Sequence, residues 1–269
     1  QWSSSAASDV YKRQQLNRAG HLVTVYERDS RVGGLLRYGI PDFKLEKSII
    51  DRRVEILSLE GIKFKTNVEI GIDIPIKKLK KDNDVVLLCG GATVMRKLPI
   101  PGHELSGVVQ AMHFLKKQNQ VISENFREVH ELNAKNKNVI VIGGGDTGSD
   151  CIGTSNRQGA KSVVNFEILP KPSKQRTDEN PWPYWPFTLK TSSSHEEGSK
   201  RQWSILTKEF INDGNGNVKA LKTIEVEWIK KPNEKAKLVE IEGSEKVWPC
   251  DLVLFCLLYT SDAADDDHC

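Results

Sequence analysis

Asn138–Gly148 reads NVIVIGGGDTG, and it limits the fold of this chain more than any other stretch. A β-branched apolar run leads into Gly143-x-Gly145-x-x-Gly148, followed by the helical stretch SDCIGTSNRQG and a second apolar run, SVVNFEIL, carrying Glu167 near its tip. Strand, glycine loop, helix and strand in this order make a dinucleotide-binding unit. Each glycine has a task in that unit. Gly143 permits the tight turn, Gly145 lets backbone approach a pyrophosphate, and Gly148 lets the helix pack on the strand. The helix N-terminus would then meet the phosphates with unpaired N–H groups and a partial positive charge. The other reading of the same residues is a glycine-rich structural turn. Gly143, Gly144, Gly145, Asp146, Thr147 and Gly148 are the candidate phosphate-loop residues.

A second segment resembles the first. QLNRAGHLVTVYERD (Gln15–Asp29) matches TSNRQGAKSVVNFEIL (Thr154–Leu169) in having N-R-x-G, a helix-ending signature, before an apolar strand with a glutamate near its tip. Such duplication points to two nucleotide-binding units in one chain. Gly143 precedes Glu167 by 24 residues, and the same spacing ahead of Glu27 falls around Ser4, Ala6 and Asp9, where no glycine stands. Residues 1–13, rich in Ser and Ala, are therefore expected to be extraneous. LLYTSDAADDDHC at the far end is acidic and low in complexity, so 257–269 is expected to be extraneous too, and the chain a fragment.

Between the two units, DVVLLCGGATVMRKLPIP (Asp84–Pro101) reads as a buried strand that ends in Gly90, Gly91, Ala92 and Thr93, small enough to admit a ligand. Lys44–Glu60 reads as a helix whose Leu45, Ile49, Ile50, Val54 and Leu57 form a core face. Ser123–Asn138 is polar and reads as a linker. NPWPYWP (Asn180–Pro186) is either a cofactor lid or a packed surface loop, and Phe210–Ile229 alternates around D-G-N-G as a hairpin does.

Bulk properties close off other classes. The net charge of +3, from 39 basic and 36 acidic residues, gives no reason to expect nucleic acid. KKLKKD (Lys77–Asp82) reads as a solvated segment. The five cysteines, Cys89, Cys151, Cys250, Cys256 and Cys269, form no C-x-x-C pair, which argues against a disulfide framework, a zinc site and a dithiol redox centre. The longest apolar run, Leu252–Tyr259, is far short of the ~20 residues a membrane helix needs. A soluble, cytoplasmic protein without membrane or nucleic-acid partners is expected.

Several motifs together, YERDSRVGGLLRYGIPDFKL, CGGAT with LPIPG, VIGGGDTGSDC, NFEILPKP and NPWPYWP, resemble the glutamate synthase small (β) subunit family over roughly Gln14–Phe255. The first motif is shared with a wider flavoprotein group that includes the N-terminal half of dihydropyrimidine dehydrogenase. The resemblance implies an α/β fold of two Rossmann-like parallel-sheet nucleotide-binding domains, the NAD(P) domain inserted in the FAD domain. It implies hydride transfer from NAD(P)H to FAD, then electron flow through iron–sulfur clusters to FMN in the large (α) subunit, the partner in which glutamate is made. The 4Fe–4S clusters belong to a preceding cysteine-rich domain that has no counterpart here.

Residue by residue, the resemblance makes Glu27 the acceptor for the FAD adenosine ribose. It places Gly33, Gly34 and Leu35 along the flavin side, Lys44 near FAD, and Gly90–Thr93 on the return strand contacting FAD. Residues 14–132 are then a partial FAD domain and 133–256 the NAD(P) domain. Glu167 favours the bare ribose of NADH, while Arg157, Lys171, Lys174 and Arg176 are near enough in sequence to take a 2′-phosphate. Hydride transfer needs no protein acid, base or nucleophile, so no catalytic side chain is expected. Another iron–sulfur-linked NAD(P)H flavoprotein and an NAD(P)-binding fragment without activity are the competing readings.

Overall fold

The computed structural model describes residues 5–91, 99–123, 132–178, 180–184, 187–229 and 236–256. They fall into two compact units. Unit 1 takes 5–91 together with 119–123, and unit 2 takes the remainder. The chain thus runs from unit 1 into unit 2, is counted with unit 1 again at 119–123, and then continues in unit 2. Residues 99–118, grouped with the first domain on sequence grounds, cluster with unit 2.

Unit 1 contains α1 (Ser5–Arg18), β1 (Thr24–Tyr26), α2 (Gly34–Tyr38), α3 (Lys47–Leu59), β2 (Lys63–Lys65) and α4 (Ile76–Asp82). β1 and β2 pair in parallel, Thr24 opposite Lys63 and Tyr26 opposite Lys65. On α3, Ile50 and Leu57 are buried seven positions apart, two turns along one stripe. Ile49 is 52% exposed, so the core face is narrower than the apolar pattern suggests.

The segment from Asp84 to Gly91 corrects a second expectation. It forms no strand, and Val85, Leu87 and Leu88 are 75%, 55% and 82% exposed. A parallel strand is stable only between hydrogen-bonded neighbours with both faces covered. Among the described residues the sheet of unit 1 has only β1 and β2, so this run has no neighbour. Ala92 and Thr93 lie outside the described residues, as does half of the polar stretch read as a linker.

Unit 2 contains β3 (Val108–Gln110), α5 (Ala111–Ser123, whose last turn is counted with unit 1), β4 (Asn138–Ile142), α6 (Asp146–Arg157), β5 (Ser162–Phe166), α7 (Ser193–Glu196) and β6 (Lys200–Gln202). There follow β7 (Ile205–Asn212), β8 (Val218–Ile229), β9 (Lys237–Glu240), β10 (Lys246–Pro249) and β11 (Leu252–Phe255). The main sheet is parallel, in the order β3-β11-β4-β5-β6. Side chains alternate across it. Val139, Val141, Leu252 and Leu254 point to one face, with Phe114 and Leu115 of α5 and Cys151 and Ile152 of α6. Ile140, Val253 and Phe166 point to the other face, with Phe210, Val218 and Leu221. Each such side chain contributes about 1.5–3 kcal/mol on burial, and both faces are covered, so the register of β4 and β11 is fixed twice over.

β7 and β8 form the expected hairpin, joined by antiparallel pairs to β10 and β9. Asp213 closes its turn by accepting the N–H groups of Asn215 and Asn217. These contacts, led by the Asn217 side-chain amide, hold the Asp213 carboxyl below its ordinary range. Among the described residues no helix is long and apolar enough to cross a membrane.

Candidate dinucleotide site

β4 delivers the chain to Gly143, where φ is +116°, a region an L-residue with a Cβ rarely adopts. The turn is clamped from the neighbouring strand. The Gly143 N–H donates to the Phe166 carbonyl at 2.8 Å, and the Asn165 amide donates to the carbonyls of Val141 at 3.1 Å and Gly143 at 2.9 Å. Asn165 is fully buried in the middle of an apolar strand, and this clamp explains its presence there.

Three further glycines face different surroundings. A Cβ on Gly148 would run into the Gly143 carbonyl, so Gly148 is required by packing. A Cβ on Gly144 would run into the Glu167 carboxylate. A Cβ on Gly145 would meet nothing within 4 Å, although its φ of −76° suits any residue. The structure of the protein gives no reason for a glycine there; a ligand approaching the backbone would.

Gly145 is also the N-cap of α6, and no side chain caps it. The regular ladder starts with Ser149 donating to the Gly145 carbonyl at 3.0 Å. The amides ahead of Ser149 therefore have no intrahelical acceptor, and they cluster at the open glycine. Asp146 and Thr147 lie in this first turn, Asp146 exposed and Thr147 half-buried.

Glu167 stands over Gly144 at the end of β5, its backbone held by the Gln202 carbonyl at 2.9 Å. Its Oε1 accepts from the Arg201 guanidinium at 2.8 Å, and both side chains are largely buried, at 16% and 13% exposure. Arg201 lay outside the sequence reading. It follows Glu167 by 34 residues, and only the parallel pairing of β6 with β5 brings the two together.

The cations considered for a 2′-phosphate are dispersed. Arg157 sits at the far end of α6, paired with Glu197 at 2.5 Å, one helix length from the glycine loop. Arg176 donates to the Tyr184 carbonyl at 2.8 Å and so belongs to the proline-rich loop. Lys171 lies 5.0 Å above the Trp203 ring, and Lys174 is exposed. In that loop Trp182, Tyr184 and Phe187 are 82%, 66% and 69% exposed, unlike a packed surface loop.

In unit 1, Glu27 ends just past β1, where its Oε1 accepts the Asp29 N–H at 3.0 Å. Burial pushes its carboxyl up from the ordinary range, against the lowering effect of that hydrogen bond. Gly33 and Gly34 follow with φ of +129° and +48°, and Leu35, the second residue of α2, is exposed. Their frame is built by residues the sequence reading passed over. Buried Arg37 donates through Nε to the Val32 carbonyl at 2.8 Å and pairs with Asp51 at 2.5 Å. The Tyr38 hydroxyl accepts the Arg31 N–H at 3.1 Å. Lys47 Nζ donates to the carbonyls of Leu36, Ile40 and Leu45, and Asn119 to those of Tyr38 and Ile40. Lys44 is exposed, with its backbone N–H on the Pro41 carbonyl. Gly90 and Gly91 lie in open coil.

No family model matches the chain. Over 258 residues, 94% of its length, it is 48% identical to the NADPH glutamate synthase small chain of Mycobacterium tuberculosis H37Rv, of which it covers 51%. Over that length the chain is similar to glutamate synthase small chains. It spans about half the length of that relative. It is also 45% identical, over 90% of its length, to the NADH glutamate synthase of Saccharomyces cerevisiae, covering 12% of that protein. Among solved structures, Mycobacterium tuberculosis FprA in complex with NADPH superposes with a TM-score of 0.72 at 16% identity, over 96% of this chain and 69% of FprA. That likeness speaks for the fold, an α/β chain with parallel sheets in two units, as expected.

Proposed function

We propose that this chain is the electron-input part of a glutamate synthase, taking hydride from NAD(P)H at unit 2 and delivering it to FAD at unit 1. The observation that carries the reading is Gly145, exposed and with open space where a Cβ would stand, at the N-terminus of α6 that no side chain caps, with Glu167 over the neighbouring Gly144. Backbone N–H groups there suit a pyrophosphate, and a carboxylate at the strand tip suits the adenosine ribose hydroxyls. Gly143, Gly144, Gly145, Asp146, Thr147, Gly148 and Glu167 are the residues assigned to this nucleotide.

The residues of unit 1 fit one stretch of FAD. Glu27 is a partly desolvated acid at a strand tip, suited to a ribose diol, and Gly33–Gly34–Leu35 expose backbone in a rigid frame. Gly90 and Gly91 would join that site. When bound, flavin accepts a hydride from reduced nicotinamide and passes its electrons on one at a time. The protein's part is to hold the two nucleotides and exclude water, which needs no acid, base or nucleophile. Electrons leaving the flavin would pass to iron–sulfur clusters and a large-subunit partner outside this chain, in the cytoplasm.

One observation favours a narrower second reading. Val85, Leu87 and Leu88 are exposed where a flavin-binding strand was expected, so the chain by itself would bind the nicotinamide nucleotide and no flavin. Titration with FAD, followed by visible absorbance and by reduction with NADH or NADPH, separates the two. Bleaching of bound flavin by either nucleotide supports electron input. Nucleotide binding without flavin supports the second reading, and binding of neither removes both.

A further inference from the structure

Glu167 and Arg201 stand together where the adenosine end of a nucleotide on the Gly143–Gly148 loop would lie. We propose that Arg201 is a positioning residue that fixes Glu167 as reader of an unphosphorylated adenosine ribose, so that unit 2 takes NADH in preference to NADPH. This rests on the nicotinamide-nucleotide reading of unit 2.

Both terminal nitrogens of Arg201 are turned to protein acceptors. One donates to the Lys190 carbonyl at 2.8 Å and the other to Glu167 Oε1 at 2.8 Å, while Nε is buried with no hydrogen-bond partner among the described residues. The guanidinium also stacks 4.9 Å from the Trp203 ring centre, with Lys171 placed 5.0 Å over the same ring. A 2′-phosphate is recognised by an arginine presenting two open donors. This arginine is 13% exposed and each terminal nitrogen already serves a protein acceptor, so an open pair of terminal donors is not presented.

Glu167, in contrast, keeps acceptor capacity. A carboxylate has about four lone-pair sites, and Arg201 takes one of them. Its position is set from two sides, by the guanidinium and by the Cα of Gly144. A carboxylate fixed in this way accepts ribose hydroxyls without further ordering and repels a dianionic phosphate at the same spot. Arg157 and Arg176 are engaged elsewhere with Glu197 and the Tyr184 carbonyl. Lys171, over the same Trp203 ring as Arg201, is the competing cation to be tested.

The test is calorimetric titration of the full chain with ADP-ribose and with 2′-phospho-ADP-ribose, neither of which can transfer hydride. The parent protein is compared with Glu167→Gln, Arg201→Lys and Lys171→Ala, each checked for folding by circular dichroism. The parent is expected to favour ADP-ribose by about tenfold or more. Glu167→Gln should bring the ratio close to one. Arg201→Lys keeps the charge but loses the fork, and should lower the ratio at least about threefold. A merely structural arginine would weaken both ligands equally and leave the ratio untouched. The proposal is overturned if the parent binds the phosphorylated ligand as well or better, if Arg201→Lys leaves the ratio unchanged, or if Lys171→Ala abolishes tight binding of the phosphorylated ligand. Failure of both ligands to bind overturns the nucleotide reading itself, and this inference with it.

Discussion

Gly145 and Gly148 lie three positions apart and would respond to alanine in opposite ways. A methyl group on Gly148 strikes the Gly143 carbonyl, so Gly148→Ala should cost about 1–3 kcal/mol of stability, read from urea unfolding. Gly145→Ala meets no atom and should change stability by no more than about 1 kcal/mol, the difference between the two residues as N-caps. It should nevertheless weaken nucleotide binding about tenfold or more, because the methyl fills the space a pyrophosphate needs. Equal effects on stability and binding at both positions would return the loop to a structural turn. The glycine spacing located these positions and gave each an expected task, but it does not contain what stands opposite each one, the Gly143 carbonyl at Gly148 and no atom at Gly145. Glu27 offers a comparable test. Its carboxyl is raised in the folded chain by burial, so the fold binds more protons than the unfolded chain just above the ordinary carboxylate range, and stability falls as pH rises through that window. Glu27→Gln should therefore raise the melting temperature of the ligand-free protein at pH 7. The gain should vanish in acid, where the carboxyl is protonated folded or unfolded.

At the scale of elements, β4, the glycine loop, α6 and β5 were legible because each is specified locally, by β-branched runs, a fixed glycine spacing and a helix-ending N-R-x-G. β6 was not legible. It is three residues long, polar, and exists only because β5 offers it an edge. Arg201 was therefore missed as well. The segment from Asp84 to Gly91 fails for the converse reason: its composition suits a buried strand, and the described residues of unit 1 offer it no place. Asn165 shows how one strand disciplines another. Replacing it with leucine keeps the volume but leaves two buried carbonyls, on Val141 and Gly143, without that donor. The expected cost is about 1–3 kcal/mol in urea unfolding, with a loss of nucleotide affinity. If affinity survives while stability falls, the clamp serves the sheet alone.

The chain divides into two units, and among the described residues only unit 2 has a complete glycine loop. Calorimetric melting should reflect that. ADP-ribose at about a hundred times its dissociation constant should add about 2.7 kcal/mol to unit 2 and leave the transition of unit 1 in place. A single transition moving as one would mean that the two units unfold together. The duplication in the sequence announced two units, yet it could not tell that residues 99–118 join the second, because that depends on β3 finding β11. β11 lies between β3 and β4 in the sheet, and Asn138 at the start of β4 bonds Asp251 across 113 residues of chain. On the ribosome, then, β3 and β4 must wait, with their intended neighbour not yet synthesised. The nucleotide module can close only once translation has passed the hairpin, so a stall before that point would release an open sheet with two aggregation-prone edges in place of a smaller working domain.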